Sequence, residues 1–409
     1  MAEPLPVQDA SRLRPRGSNQ TGMRQFNERV VLQAIRLHGS LPKADLARLT
    51  TLSTQTVSLI INRLFDDGLV MKRAPVRGRI GQPSIPIALD PDGAFSIGVK
   101  IGRRSLDVLL IDFAGAVRSR YSLDYRFPDP DLVFATIASQ VRQLQDTLAP
   151  GLRSRIQGIG VAAPLSLGSW QALIGMAPGE AGRWNGLDIA RQIEADTGLP
   201  VRFAKDTAAA CVAELVIGRG RSIKSFLYLF VDTFIGGGLV IDSHLHAGLH
   251  GNAGAIGSMP VGVADTVPGA PPAQLLAAAS LLNLENRYQA AGLDPAAAYD
   301  ARAMEGDWRG HGAAWAVDAA TAIAMAVTSA SCLLDLGGVI VDGSCSRALM
   351  ERLMAELAGA LDRYDWEGVE RPQVHLGTIG TDARALGGAL LPLHANFAPD
   401  RDLFLKLEP

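Results

Sequence analysis

Residues 41–70, LPKADLARLTTLSTQTVSLIINRLFDDGLV, carry two helical periodicities joined by the short link Thr50–Thr51–Leu52, and that spacing predicts a helix-turn-helix. Pro42 suits the first turn of the earlier helix, where its missing N–H is not needed. Small Ala47 falls where the two helices must approach closely. Ser53 is placed to cap the later helix. Val57, Ile60, Ile61 and Leu64 recur at i, i+3, i+4 and i+7, so they are expected to face a core, and Gly68 is expected to end the helix. The opposite face offers Thr54, Gln55, Thr56, Ser58, Asn62 and Arg63 beside the Ser53 cap. Short donors and acceptors at the leading end of a helix are what base edges in a major groove require, and the helix dipole there favours phosphate.

Upstream, Phe26, Val30, Val31, Ile35 and Leu37 form one apolar face that Gly39 closes, whereas residues 1–22 have no period and are expected to be a flexible arm. Downstream, LVMKRAPVRGRIGQPSIPIALD (69–90) places alternating apolar residues around a tip containing Arg77, Arg79 and Gln82. This predicts a two-stranded wing whose arginines reach phosphate or a narrow minor groove. Residues 23–90 are therefore expected to form a winged helix-turn-helix. Three helices of this period could equally belong to a module that binds no DNA. The charge distribution favours the DNA reading, since residues 1–90 hold 13 Lys and Arg against 7 Asp and Glu, and the remainder holds 26 against 34.

The 409 residues are 48% hydrophobic and 20% charged, which excludes a largely disordered, collagenous or coiled-coil chain and suggests two or three folding units. Three cysteines, Cys211, Cys332 and Cys345, supply no disulfide framework and no C-x-x-C pair, consistent with a reducing compartment. The first 25 residues contain no apolar leader-like run. Ala319–Leu334 is uncharged but rich in Ala, Ser and Thr, and is expected to be a buried core helix rather than a membrane span. A cytoplasmic protein with no membrane partner is expected.

From residue 94 to the end, short β-rich runs alternate with helical ones. Ser96–Ile101, Leu106–Asp112 and Val117–Tyr125 predict a three-strand meander, followed by a helix, the strand Ile156–Ala163, another helix, and the strand Val201–Ala204 before a helix at Asp206. A second such series begins at Phe226–Asp232. This recurrence predicts an α/β body of two similar lobes around a cleft.

These segments, in this order, resemble the transcriptional regulators of the ROK family of repressors and sugar kinases. The motifs are the helix-turn-helix above, IGVKIGRRSLDVLLIDFAGAV, GIGVAAPL, AKDTAAACVAE, FIGGGLVIDSHLHAGLHGNAGAIGSMPVG and GGVIVDGSCS, and together they cover nearly the whole chain from Gly17. The resemblance implies an actin-like (RNase-H-like) two-lobed fold, a sugar-type ligand in the cleft, and a homodimer or dimer of dimers.

The chain departs from the family pattern where phosphate is handled. The kinase Asp-x-Gly-x-Thr loop has Lys100 at the Asp position, and the second Gly-Thr-Gly loop reads Asp232–Thr233–Phe234. An acid and a ring there repel and obstruct phosphate. The nucleotide-side Gly-Gly is Asp342–Gly343. On the sugar side the family's Asn-Asp pair is Lys205–Asp206, so the carboxylate that serves kinases as base is kept, although an Asp at a helix start also reads as a cap. Gly-Glu-Ile-Gly-His becomes Gly254–Ala255–Ile256–Gly257–Ser258, and the family's cysteine zinc loop is replaced by VADTVPGAPPAQ. No metal and no cofactor are therefore expected, and His244, His246 and His250 read as loop residues without a ligand partner. Arg103 and Arg104 could still attract anions, but an arginine pair on a turn reads first as a solvated or salt-bridged surface.

The expected ligand contacts are Lys205, Asp206, Asn252, Ser258 and the backbone of Ala162 and Ala163; the expected DNA contacts are Ser53, Thr54, Gln55, Thr56, Ser58, Asn62, Arg63, Arg77, Arg79 and Gln82. The combined expectation is a non-enzymatic repressor of carbohydrate metabolism or transport genes. Its double-stranded operator affinity would respond to a sugar-type effector through lobe closure and the spacing of paired winged helices. Two alternatives are an active carbohydrate kinase fused to a DNA-binding module, and a ligand-independent repressor with a vestigial cleft.

Overall fold

The computed structural model describes residues 20–75, 84–168, 179, 182–262 and 272–399. Nearly all of the expected arm, and the wing tip with Arg77, Arg79 and Gln82, lie outside the described residues.

The N-terminal elements are α1 (Gln20–His38), β1 (Ser40–Leu41), α2 (Lys43–Thr50), α3 (Thr54–Asp66), β2 (Val70–Lys72) and β3 (Ile87–Leu89). Helix α1 starts six residues before the apolar face that predicted it, and Gly39 at φ +75° ends it. Val31, Leu32 and Ile35 of α1, Leu46 of α2, and Val57, Ile60, Ile61 and Leu64 of α3 are buried together as the core of this unit. Ser53 caps α3, its Oγ accepting from the Thr56 N–H at 3.0 Å, an arrangement worth about 1 kcal/mol. Pro42 is not inside α2 as expected. It stands just before it, and its carbonyl accepts from the Leu46 N–H at 3.0 Å. The wing pairs Val70 with Leu89, but the sheet has a third strand, with Ser40 opposite Ala88, in the order β1-β3-β2. A two-residue strand has no period to read.

The compact unit built on these elements runs through Phe95 and also takes in Asp112–Ala116 and the described residues 393–399. Phe113 explains this extension. Its ring packs edge-on to Phe397 with centroids 4.7 Å apart, and the Arg36 guanidinium lies 5.1 Å from its centroid.

The second unit comprises Ser96–Ile111 and Val117–Pro392. Along the chain come β4 (Phe95–Ile101), β5 (Ser105–Asp112), β6 (Val117–Asp124), α4 (Pro130–Thr147), β7 (Ile156–Ala163), α5 (Ile189–Thr197), β8 (Val201–Lys205), α6 (Asp206–Val216), β9 (Phe226–Val231), β10 (Gly236–Ile241) and β11 (His244–His246). Then follow α7 (Leu281–Ala290), α8 (Trp308–Leu334), β12 (Gly338–Gly343), α9 (Arg347–Leu361), β13 (Gln373–Leu376) and α10 (Ala383–Phe397). The first sheet has the order β6-β5-β4-β7-β8 and the second β11-β10-β9-β12-β13. The second is an antiparallel meander extended by two parallel strands, and the first repeats its strand order with β5–β6 antiparallel and β7–β8 parallel, the duplication that the recurring pattern predicted. His244 and His246 lie on an edge strand rather than in a loop.

Helix α8, at 27 residues, is long and apolar enough to cross a membrane by length and composition. Its Trp315, Ala319, Ile323, Val327 and Ala330 are instead buried in the second lobe, where its alanine face lets α9 pack closely. Helix α10 lies tighter still. A Cβ on Gly387 would strike the Ala209 carbonyl of α6, and one on Gly160 of β7 would strike the Gly388 carbonyl. Glycine at these places allows backbone-to-backbone packing.

Candidate functional site

On α3, Ser53, Thr54, Gln55 and Asn62 are exposed, and Thr56 and Ser58 are half-buried. Thr56 Oγ1 is 2.8 Å from Ser53 Oγ, so part of its hydrogen-bonding capacity is spent at the cap. Arg63 donates from Nη1 to Glu28 Oε1 of α1 at 2.8 Å and from Nε to the Leu59 carbonyl at 3.4 Å. Its first role is thus to tie the two helices together. Leu59, 56% exposed beside Gln55 and Asn62, is a residue the sequence reading passed over. The signal was present, since an apolar residue off the i, i+3, i+4 stripe breaks the binary pattern.

In the second unit a cleft of about 1130 Å³ is lined from both lobes. Strand β4 brings Lys100 to its floor, the β4–β5 turn brings Arg103 and Arg104, and the junction of β8 with α6 brings Lys205 and Asp206. The loop after β9 adds Asp232, Thr233 and Phe234, α7 adds Glu285, and the first turn of α10 adds Arg384. Asn252 and Ser258, expected from the sequence as ligand contacts, also line it. Ala162 and Ala163 do not. Both are fully buried in β7 opposite Ala204 and Lys205, and the lining falls to Pro164, Leu165 and Ser166 just beyond.

Ion pairs occupy the ground where the resemblance places phosphate. Lys100, 6% exposed, donates to Asp107 Oδ2 at 3.0 Å and to the Ser105 hydroxyl. Arg384 pairs with Asp232 and lies 5.0 Å from the Phe230 ring centroid. Arg104 makes a two-pronged bond to Glu285 at 2.7 and 2.9 Å, and Tyr299 donates to the same carboxylate at 2.6 Å. At the rim Arg120 pairs with Asp382 at 2.8 Å. Burial pulls the Arg384 pKa down, but the surrounding carboxylates of Asp232, Asp206 and Asp107 outweigh it and hold the guanidinium firmly charged. Burial lowers the Lys100 pKa, with help from the Arg384 charge and against the pull of Asp107. Arg103 and Arg384 were not singled out as ligand-facing. Their partners lie far away in the chain.

Asp206 opens α6 as its first helical residue, and Lys205 occupies the cap position, so the cap expected of Asp206 is displaced by one. Asp206 Oδ1 accepts from the Thr207 N–H at 2.8 Å, while Thr207 Oγ1 donates to the Gly237 carbonyl at 2.8 Å, joining α6 to β10. The nucleotide-side position is also filled. Asp342 accepts from the Gly343 and Gly380 N–H groups at 2.9 Å each, and fully buried Glu214 accepts from the Ile379 N–H at 3.2 Å and the Arg219 N–H at 2.6 Å. Burial, opposed by those backbone bonds and reinforced by the Glu214 charge, pushes the Asp342 carboxyl up to about 6.

A family model described as "ROK family" matches residues 96–394. The chain belongs to the ROK family. The putative xylose repressor of Caldicellulosiruptor sp. (strain Rt8B.4) is 23% identical to this ROK protein over 249 residues, covering 61% of this chain. The chain spans about 62% of the length of that repressor. Among solved structures, a ROK family transcriptional regulator described as a homologue of E. coli MLC protein superposes with a TM-score of 0.66 at 20% identity, covering 92% of this chain and 98% of that one. A ROK family glucokinase from Streptomyces griseus, in complex with glucose and AMPPNP, superposes with a TM-score of 0.56 at 20% identity, covering 73% and 99%. The fold is the two-lobed, actin-like architecture of this family, preceded by an N-terminal helical region.

Proposed function

We propose that the chain is a DNA-binding transcriptional repressor whose operator affinity is set by a sugar or sugar derivative in the cleft. One observation carries this reading: a capped helix with an exposed polar leading end shares a chain with a sugar-kinase cleft whose phosphate ground is occupied by Lys100–Asp107 and Asp232–Arg384. The names of the repressor and regulator relatives support it. In this reading Ser53, Thr54, Gln55, Ser58 and Asn62 meet base edges, with Thr56 shared between the cap and the groove. Arg77, Arg79 and Gln82 meet the backbone or minor groove, and Lys205, Asp206, Asn252 and Ser258 hold the effector. The protein works in the cytoplasm as a homodimer or dimer of dimers on a double-stranded operator near genes of carbohydrate use. It performs no catalysis, and each lobe's ion pairs serve structure.

The test is direct. An operator selected from a random duplex library by the full-length protein is titrated by fluorescence anisotropy with and without a sugar panel. Specific binding that a sugar shifts supports the reading; a chain that selects no duplex overturns it. The retained Asp206 favours a second reading, a carbohydrate kinase carrying a DNA-binding module. Sugar-dependent ADP release by the purified chain, abolished in Asp206→Asn, would establish that reading instead.

A further inference from the structure

Most charges in the cleft are matched within the protein: Lys100 by Asp107, Arg104 by Glu285, Arg120 by Asp382 and Arg384 by Asp232. Set these pairs aside, with Asp294, which Arg302 holds, and the lining retains Arg103, Lys205, Asp206 and the exposed Asp124. Arg103 is fixed by the Phe234 ring, whose centroid lies 5.0 Å from its Cζ, and by a 3.4 Å bond to the Ser166 carbonyl, yet its Nε is buried with no acceptor. Among the described residues Lys205 makes no ion pair, and Asp206 is the one charge that acts on it. Asp206 is the carboxylate that acts on both cations, Asp232 adding to it at Arg103, and neither cation is within ion-pair distance of Asp206. Burial lowers the pKa of both groups, with Asp206 opposing in each case, so each charge is held short of solvation. A sugar hydroxyl is too weak an acceptor to offset two such charges. A carboxylate or phosphate oxygen is strong enough, because charge-assisted bonds are about twice as strong as neutral ones.

We infer that the effector is a polyol bearing one anionic group, a sugar acid or sugar phosphate, with the anion seated between Arg103 and Lys205 and a hydroxyl on Asp206. This rests on the reading of the cleft as an effector site. The guanidinium, 5.0 Å from the Phe234 ring centroid, lines the cleft and can offer N–H donors to an anion, and Lys205 adds a mobile point charge. Asp206 beside them rejects an anion that lacks a hydroxyl to donate to it. Acetate is therefore a poor ligand, whereas inorganic phosphate, whose P–OH can serve Asp206, tests whether the sugar body is part of the requirement.

Isothermal titration of the full-length protein with xylose, glucose, xylonate, gluconate, glucuronate and glucose 6-phosphate tests this, with inorganic phosphate and acetate as bare-anion controls. The expected result is that at least one sugar acid or the sugar phosphate binds, and that its neutral parent binds at least about tenfold more weakly. The carboxylate and phosphate arms distinguish the two sources of the anion. Affinity for the anionic ligand should fall as sodium chloride is raised, a measurement on the unaltered protein that does not depend on any variant folding. Arg103→Gln and Lys205→Gln should each weaken the anionic ligand by about a hundredfold, with heat-unfolding midpoints recorded to confirm that they fold. If a neutral sugar binds as tightly as its acid, this inference fails while the effector reading stands. If no member of the panel binds, both fail.

Discussion

The Arg63 guanidinium reaches across the N-terminal unit to the Glu28 carboxylate at 2.8 Å, joining the third helix to the first. The side chains are 39% and 23% exposed, so solvent weakens the pair, and its coupling is expected to be about 0.2–1 kcal/mol. A double-mutant cycle with Arg63→Ala and Glu28→Ala, followed by urea unfolding, measures it. Because Arg63 is held by Glu28, Glu28→Gln should leave operator affinity unchanged or raise it by freeing the cation. A marked loss of affinity in that variant would show that the tie orients the helix for reading.

Leu59 presents an apolar side chain among polar neighbours on the exposed face of α3, the face proposed to read DNA. Its expected partner in a major groove is a thymine methyl. Replacing successive thymines of the selected operator by uracil should reveal one position where the wild-type protein loses about fourfold in affinity, the value of one buried methyl. Leu59→Ala should be indifferent to that same replacement. Equal responses from both proteins would assign Leu59 another task.

Asp342 keeps its proton to about pH 6 in the folded chain but releases it near 3.8 when unfolded. Between those values the folded state binds more protons, so stability from this group is complete below pH 4 and declines as pH rises through 6. Set against Asp342→Asn, which cannot ionise, the wild type should lose about 2–3 kcal/mol between pH 4 and pH 7. Urea unfolding of both proteins at the two pH values checks it. A flat difference would mean that the Gly343 and Gly380 N–H groups hold Asp342 ionised at all pH values tested.

Two helical glycines should respond in opposite directions to alanine. Gly387→Ala drives a methyl into the Ala209 carbonyl and is expected to cost about 1–3 kcal/mol. Gly359→Ala, in α9, meets nothing within 4 Å and should stabilise by about 0.5–1 kcal/mol. Chemical denaturation of the pair separates close packing from helix propensity.

How far the sequence could be read follows from the range of each interaction. The core face of α3 was legible because Val57, Ile60, Ile61 and Leu64 announce themselves within two turns, and the lobe duplication was legible because strand and helix runs recur. The exchanges at Lys100 and Asp232 were visible as departures from a family pattern. Their partners were not equally visible. Asp107 is close by in sequence, but Arg384 lies more than a hundred residues from Asp232, and Glu285 is 181 residues from Arg104. Tertiary pairing of this kind leaves no periodic trace. Nor could the sequence show that Ala162 and Ala163 end inside a sheet, since alanine fits a wall or a core equally well.

The pairing of Lys100 with Asp107 and of Asp232 with Arg384 also bears on descent. An acid at position 100 would stand beside Asp107 in place of the cation that now pairs with it, and glycine at 232 would remove the ion-pair partner of the enclosed Arg384 guanidinium. Each single reversal makes the fold worse before any catalytic gain can appear. Positions 100 and 232 are therefore bound to their partners, and the charge pattern of the cleft can shift only through paired substitutions, with Asp107 or Arg384 changing alongside.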